Sequence, residues 1–375
     1  MGTNVVTIEA LVQNNKDTLV DGLMFNYTRW QVQRAVKESE WAELRNYIFA
    51  TDTTTTSNNS LPWRNRTTIP KLTQIRDNLH ANYMDALFPN DDWLSWEGDS
   101  IDDVEVHKRH IIEQYVKNKA ELSGLREVIS QCLYDYIDYG IAIGDVVFVN
   151  EYHIDLITQE TVTTYKGARA IRISPHDITF NPAASTFQKS PKYVRRLTTV
   201  AELKKEILTR PDLQFDPMVF QKAIDLRRAL SAFNREDMDK AQAYVVDGFG
   251  SLSEYIGSGM AEIIEFCGDY YDATNDVLYE NRIITILDRT YVLRNIQNPN
   301  WLGRDGKVMV GWRDRPDNLY AMGPLDNLVG MQYRLDHLEN AKADALDMTI
   351  VPPIGLLGDV EPFEWGPGAR ITIPE

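Results

Sequence analysis

A helical pattern bounded by proline at both ends is the feature that most constrains this chain. It lies in GPLDNLVGMQYRLDHLENAKADALDMTIVPPIGL, from 323 to 356. At about 100° per residue, one side of this pattern is apolar and the opposite side is polar and acidic. The apolar side carries Leu328, Met331, Leu335, Leu338, Ala345 and Leu346, and the polar side carries Asp326, Asp336, His337, Asn340, Asp344 and Asp347. The pattern predicts an amphipathic helix with its apolar side on a protein core and its acidic side outside.

Four residues mark the expected ends of this helix: Gly323 and Pro324 before it, and Pro352 and Pro353 after it. Proline is tolerated in the first turn of a helix, where its missing N–H would have no partner in any case. Pro352 and Pro353 cannot continue a helix, and Pro352 also disfavours helical geometry at Val351. We therefore expect a rigid helix of fixed length.

A loop is expected between 51 and 70, in TDTTTTSNNSLPWRNRTTIP. The short hydroxyl and amide side chains of Thr, Ser and Asn bond to the nearby backbone, so they compete with regular structure. Apolar residues three and four apart between Pro70 and Pro89 then predict a helix.

The rest of the chain alternates between helix-forming and strand-forming stretches. Apolar residues at helical spacing predict helices over 17–49, 103–139, 199–210 and 217–233, with a further helical stretch from Asn234. Gly124 is a candidate break in the second of these helices, and Gly140 is its expected end. Runs rich in Val, Ile, Thr and Tyr predict two β-rich stretches, one from 141 to a short strand between Pro175 and Pro182, the other from 261 to 315. The predicted fold class is α+β.

The charge of the chain argues against tight binding of nucleic acid. Its 39 basic and 55 acidic residues give a formal net charge of −16. Affinity for nucleic acid comes largely from Lys and Arg, which displace counterions from phosphates. If the protein meets DNA, we expect it to do so without gripping it.

The N-terminal segment and the cysteines bear on the compartment. The first 22 residues hold acidic side chains among the apolar ones, so we expect neither a signal peptide nor a membrane span there. Cys132 and Cys267 form no disulfide framework and have no metal-ligand spacing. We expect both to be reduced core residues, in a protein of the cytoplasm or of a particle assembled there.

No sequence motif points to catalysis. The glycine-rich motifs that bind nucleotides are absent, as is the serine elbow of hydrolases. His107 and His110 lie one helical turn apart, but Lys108 and Arg109 between them favour a solvated basic face over a zinc site. We therefore expect no enzymatic activity, no cofactor and no bound metal.

Acidic pairs leave one enzymatic alternative open. Neighbouring carboxylates can hold Mg²⁺ for the hydrolysis of nucleic acid. The candidate pairs are Asp91 with Asp92, Asp102 with Asp103, and Asp344 with Asp347. In so acidic a chain, such pairs are more typical of solvated surface, and a metal-dependent nuclease remains the alternative interpretation.

Charged residues of alternating sign occur in GWRDRPDNLYAMGP, from 311 to 324. They are Arg313, Asp314, Arg315 and Asp317. Such a strip suits ion pairs between subunits or domains, and these four are our candidates for a subunit interface. A plain exposed turn is equally compatible with the pattern.

The order of several segments is informative. A long helix that ends at glycine runs into strands in LSGLREVISQCLYDYIDYGIAIGDVVFV, and a short strand with an Asn-Pro turn follows in HDITFNPAAS. The β-rich stretch EIIEFCGDYYDATNDVLYENRIITILDRTYVL precedes the MGPLDNL start of the bounded helix and its Pro-Pro end. Across most of the chain, this order resembles the portal protein, or head-to-tail connector, of tailed bacteriophages, and in particular of short-tailed phages.

The resemblance implies a ring of twelve subunits at one vertex of the capsid, each with a helix-rich wing, two stem helices and a β-rich clip. The implied regions are 1–215 as the wing, 216–258 as the first stem helix, 259–322 as the clip and its connections, 323–350 as the second stem helix, and 351–375 as a return into the wing. The final residues, FEWGPGARITIPE, read as a strand, so we expect a chain truncated before the family's tunnel loop and crown.

In that scheme the bounded helix forms part of the channel wall. The candidates for facing the channel are Asp336, Asn340, Asp344 and Asp347, and the candidates for packing in the stem are Leu328, Met331, Leu335, Leu338 and Leu346. Acidic residues along a DNA channel repel phosphate, so the duplex would slide rather than bind. The implied partners are further copies of the chain, the large terminase that supplies ATP-driven packaging, a tail adaptor, and the major capsid and scaffolding proteins. Double-stranded DNA would pass through without specific binding, and another structural head-to-tail adaptor is a further alternative.

Overall fold

The computed structural model describes residues 8–49, 65, 67–90, 93–96, 103–154, 161–210, 213–233, 259–272, 275–300, 303–352, 354–357, 367 and 369–373. The helices are α1 (Ile8–Phe49), α2 (Lys71–Leu87), α3 (Asp103–Leu122), α4 (Leu125–Tyr139), α5 (Val200–Thr209), α6 (Pro217–Phe233) and α7 (Val329–Ile350). The longer strands are β1 (Ile141–Ile154), β2 (Thr161–Ile173), β4 (Lys192–Thr199), β5 (Met260–Asp272), β6 (Val277–Leu287) and β7 (Tyr291–Gln297). The shorter strands are β3 (Ile178–Phe180), β8 (Val308–Gly311), β9 (Arg313–Arg315), β10 (Asn318–Met322), β11 (Ile354–Leu357) and β12 (Arg370–Ile373). The mixture of helix and strand confirms the α+β class at this level.

Glycine and local capping set several of these boundaries as predicted. Gly124 has φ +69° and separates α3 from α4, while Gly140 has φ +75° and ends α4. Only glycine adopts this left-handed geometry without strain, so both stops follow from the sequence. The Thr199 hydroxyl accepts a hydrogen bond from the Glu202 N–H, and the Glu202 carboxylate accepts one from the Thr199 N–H, which starts α5. The helical stretch predicted from Asn234 lies outside the described residues.

The two β-rich stretches do not form separate sheets. One antiparallel sheet has the strand order β2-β1-β8, and the other has the order β3-β4-β5-β6-β7. β4, which was not predicted as a strand, follows the first stretch and pairs along its full length with β5 of the second, while β8 comes from the second and pairs with β1 of the first. A domain boundary near 215 would therefore cut through both sheets, because pairing depends on which backbones meet and not on distance along the chain.

Helices cover both faces of the five-stranded sheet. On one face, Leu19, Leu23 and Tyr27 of α1 pack against Ile264 and neighbouring residues. On the other face, Leu203 of α5 and Phe220 of α6 pack against Ala261, Ile263, Leu287 and Leu293. Because side chains alternate along a strand, Ile263 and Ile264 contribute to opposite cores.

The buried Trp41 joins the pieces at the centre of the molecule. Its ring meets those of Tyr139 and Tyr320 edge-on, with centroids 5.2 and 6.1 Å away. Ile141 and Ile178 complete the same core, which therefore joins α1, α4, β1, β3 and β10. A separate core holds the start of α7, where Leu325 is fully buried against residues of α1, α2 and α4.

Candidate functional site

The helix predicted between Gly323-Pro324 and Pro352-Pro353 exists, but it begins later than expected. A 3₁₀ turn, Asp326–Leu328, leads into α7, so Pro324 lies before the turn and outside the first turn of the α-helix. Gly323 is packed so closely on Gly140 that a Cβ on Gly140 would lie 2.5 Å from the Gly323 nitrogen. Gly323 therefore belongs to the connection between β10 and α7 and not to the helix.

The end of α7 is as predicted. The helix stops at Ile350, and Val351 has φ −125° and ψ 77°, outside the helical region that a following proline disfavours. Pro352 follows at once, whereas Pro353 lies outside the described residues.

The polar side of α7 faces inward, contrary to the prediction. Gln332, Asp336 and Asn340 are 3%, 0% and 6% exposed, whereas Met331 and Leu338 are 69% and 55% exposed. Asp336 and Asn340 are therefore not free to line a channel in this subunit. The reason is a second stretch of the same chain, which lies along the polar side.

That stretch comprises residue 65 and residues 67–69, here named the strap. The Ile69 N–H donates to Asp336 Oδ1 at 3.0 Å, and the Thr67 N–H donates to Asn340 Oδ1 at 2.9 Å. The Asn65 N–H donates to Asp344 Oδ1 at 2.7 Å. Every second N–H of the strap therefore meets one side chain of α7.

Further hydrogen bonds complete the contact. Asn340 Nδ2 donates to the Thr67 carbonyl oxygen at 3.0 Å, and Gln332 Nε2 donates to the Ile69 carbonyl oxygen at 2.6 Å. The side-chain amide of Asn65 donates to Asp344 Oδ1 at 3.0 Å and to Asp347 Oδ2 at 2.8 Å. We name the helix residues of this contact, Gln332, Asp336, Asn340, Asp344 and Asp347, the polar row.

The spacing of the polar row matches that of an extended chain. Four residues of α-helix rise about 6.0 Å, and two residues of extended chain advance about 6.6 Å. Asp336, Asn340 and Asp344 therefore lie opposite Ile69, Thr67 and Asn65, respectively. The strap runs antiparallel to α7. Asp344 and Asp347 are half-buried beside Asn65, so they too are engaged by the strap.

The outward side of α7 carries a stripe of apolar side chains, which Lys342, paired with Glu339 at 3.9 Å, crosses between Leu338 and Leu346. Met331, Leu338, Leu346 and Ile350 are 55–69% exposed, and Leu335 is half-buried. Of the residues predicted to pack in a stem, Leu328 packs against the subunit's own buried core. Packing of the stripe on another subunit remains a prediction.

The strip of alternating charges forms a surface hairpin. Arg313, Asp314 and Arg315 make up β9, which pairs with β10, and Asp317 lies in the turn between the two strands. All four residues are exposed. The geometry is compatible with a subunit interface and with a plain exposed turn.

The other sequence candidates do not come together as a catalytic centre in the described part of the chain. His107 and His110 are both exposed on α3. Asp91, Asp92 and Asp102 lie outside the described residues, as does the Asp103 side chain. Among the residues that are described, no three His, Cys, Asp or Glu side chains group as a metal site.

The two cysteines differ in their surroundings. Cys267 is buried on β5, as expected, and burial raises the pKa of its thiol to about 12 although Lys307 lies beside it. Cys132 is half-buried on α4. Both thiols are free of disulfides.

Comparison of the sequence with known protein families finds no match, and neither does comparison with curated proteins. In the described ranges, no helix combines the length and apolar character needed to span a bilayer.

Proposed function

We propose that this chain is a subunit of a phage portal, a ring at one vertex of the capsid through which double-stranded DNA passes during packaging and ejection. The observation that carries the proposal is the apolar stripe of α7. A surface helix of a solitary globular protein turns its apolar side to its own core. Here the polar side is occupied by the strap, so the stripe is left for a neighbour.

A second copy of the chain is the cover that we propose for this stripe. Exposed apolar side chains that cluster on one face and are bordered by polar residues are typical of interaction sites. The element order described above resembles that of a portal subunit, in which this helix is the second stem helix. Packing of α7 on adjacent subunits would bury Met331, Leu338 and Leu346 and form the wall of a channel.

The charge of the subunit supports a passive role toward DNA. A net charge of −16 repels phosphate, so a duplex would move through the ring without being held. Because the strap engages Asp336, Asn340, Asp344 and Asp347, this repulsion would come from the acidic excess of the whole subunit. The polar row would instead fix the position of α7 in the channel wall, through its hydrogen bonds to the strap.

The remaining parts of the proposal follow from the same resemblance. The ring contains about twelve copies and lies in the virion after assembly in the host cytoplasm. Its partners are the large terminase, a tail adaptor, and the major capsid and scaffolding proteins. The chain itself contributes no catalysis and needs no cofactor.

Mass measurement of the purified chain, followed by negative-stain imaging, tests the proposal. We expect ring-shaped oligomers with an axial hole. A chain that stays monomeric under all assembly conditions contradicts it, and an oligomer without an axial hole favours another head-to-tail adaptor. Mg²⁺-stimulated cleavage of DNA that Asp344→Ala abolishes would support a nuclease instead.

A further inference from the structure

The two halves of α7 are held in different ways. Just before its start, Leu325 and Leu328 pack into the core formed by α1, α2 and α4, and so does Val329 at its first position. Gln332, Asp336 and Asn340 are buried, whereas none of the residues from Ala341 to Ile350 is buried. The first half, 329–340, is seated on the molecule, and the outer half, 341–350, is joined to the strap through Asp344 and Asp347.

The strap is also anchored at one end. Ile69 leads through Pro70 directly into α2, whose Leu72 is 2% exposed in a core. Asn65 lies four residues farther from this anchor, and its partners Asp344 and Asp347 are half-buried, whereas Asp336 and Asn340, the partners of Ile69 and Thr67, are buried. Hydrogen bonds open most readily where the bonded groups are least buried, so the strap should detach from the Asn65 end first.

In the strap, one residue, Asn65, makes the contact with Asp344 and Asp347. Its side-chain amide and its N–H together supply three hydrogen bonds to Asp344 and Asp347. These two carboxylates lie one helical turn apart, and like charges at that spacing repel each other. Hydrogen bonds from an uncharged amide to carboxylates offset this repulsion without adding a cation.

We infer that the contact of Asn65 with Asp344 and Asp347 is a releasable latch that sets the direction of the outer half of α7. When the latch opens, residues 341–350 move away from the strap while the first half of the helix stays seated. The latch thereby controls where the exposed side chains of Leu346 and Ile350 point. The inference rests on the contacts within one subunit and does not depend on the proposed ring.

Asn65→Asp tests the latch in the full chain, because it removes the amide donor at constant size and places a third carboxylate beside Asp344 and Asp347. Hydrogen exchange followed by mass spectrometry compares 341–350 with 329–336. We expect exchange in 341–350 to become about tenfold faster, with 329–336 and α2 unchanged. Asn118→Asp, at an exposed position of α3, is the matched control and should change neither segment.

Swapping the hydrogen-bond donor and acceptors of the contact distinguishes a latch from a general loss of stability. In the triple variant Asn65→Asp, Asp344→Asn and Asp347→Asn, donors and acceptors change places, and slow exchange in 341–350 should return. If Asn65→Asp does not fold, Asn65→Ser keeps the main-chain N–H and should show a smaller acceleration in the same segment. Unchanged exchange, or equal acceleration in both halves and α2, would overturn the inference.

Discussion

Asn340 and Thr67 hold each other through two hydrogen bonds, although 273 positions separate them in the sequence. The amide oxygen of Asn340 accepts from the Thr67 N–H, and its amide nitrogen donates to the Thr67 carbonyl oxygen. An extended backbone offers an N–H and a carbonyl oxygen whatever its side chains are. Asn340 of α7 therefore binds the main chain of the strap and not its side chains. The same relationship fixes which side of α7 faces the molecule.

Asn340→Leu should destabilise the subunit by about 1–2 kcal/mol, because it keeps the size of the side chain and removes both hydrogen bonds to Thr67. Denaturant unfolding monitored by circular dichroism measures the change. Asn118→Leu makes the same substitution at an exposed position of α3 and should stay within about 0.5 kcal/mol of the parent. Equal effects of the two substitutions would show that the strap contact contributes nothing.

Leu338→Glu should prevent or weaken assembly while leaving the fold of the subunit intact. Leu338 is 55% exposed, so a charge there costs little in an isolated subunit, but between subunits the cost of removing it from water would exceed what pairing with Arg334 or Lys342, one helical turn away on either side, could return. Light scattering gives the oligomeric mass, and circular dichroism gives the fold. Leu208→Glu is the control, because Leu208 on α5 is 74% exposed. Rings of normal mass from Leu338→Glu would contradict the proposed role of the stripe.

Glu262→Gln should destabilise the chain by about 3–5 kcal/mol, as expected when one member of a buried charged group is lost. Glu262 is fully buried, with Arg195 Nε at 2.7 Å and Arg289 Nε at 2.8 Å from its carboxylate oxygens. Burial alone would raise the pKa of Glu262, but the two guanidinium groups hold that pKa below its usual value.

Glu206→Gln is the matched control for Glu262→Gln. The carboxylate of Glu206 pairs with Arg196 at 2.6 Å, but the Arg196 side chain is 49% exposed. An exposed pair of this kind contributes less than about 1 kcal/mol. Denaturant unfolding of the two variants should therefore give clearly different free energies, and similar small losses would contradict the role assigned to Glu262.

Stability should fall as the pH is lowered below about 6.5, because His176 is held in its neutral form. Burial lowers the pKa of His176 from 6.5, and the nearby Arg34 and Arg45 also lower it, while Glu38 and Asp177 act in the opposite direction. Below pH 6.5 the unfolded chain therefore binds this proton and the folded chain does not. The free energy of unfolding decreases with falling pH, by at most about 1.4 kcal/mol per unit for one proton.

Denaturant unfolding at several pH values between 7.5 and 5.5, roughly one unit either side of the ordinary histidine pKa, measures this slope. His176→Gln should flatten the slope, since the variant has no proton to gain at that position. His337→Gln changes an exposed histidine on α7 and should leave the slope as it is. An identical slope in all three proteins would assign the pH dependence to other groups.

Local structure was largely predictable from the sequence. Gly124 and Gly140 ended helices where predicted, and Pro352 followed the end of α7, because each acts through its own backbone geometry. The helix predicted over 217–233 has the observed bounds. The α1 helix extends earlier than the predicted start at 17, to Ile8, since its apolar spacing is weak there.

The polar row shows why the site was harder to predict. Gln332, Asp336, Asn340 and Asp344 are visibly four residues apart, and this spacing was the available signal. Amphipathicity alone assigned that side to solvent, because polar groups usually stay outside unless they find hydrogen-bond partners. The partners were main-chain groups of Asn65, Thr67 and Ile69, in a stretch predicted as a loop, and backbone groups carry no sequence signature.

By itself, the sequence determined the positions of most helices and strands, the proline-bounded C-terminal end of α7 and the acidic charge of the chain. These properties depend on residues close to one another along the chain or on composition alone. Only the tertiary structure decided that β4 joins β5, that β8 joins β1, and that the strap lies on α7. Such contacts depend on which distant backbone groups meet, and the hydrogen bonds that Ile69 and Gln332 donate to Asp336 Oδ1 offset part of the cost of burying this carboxylate.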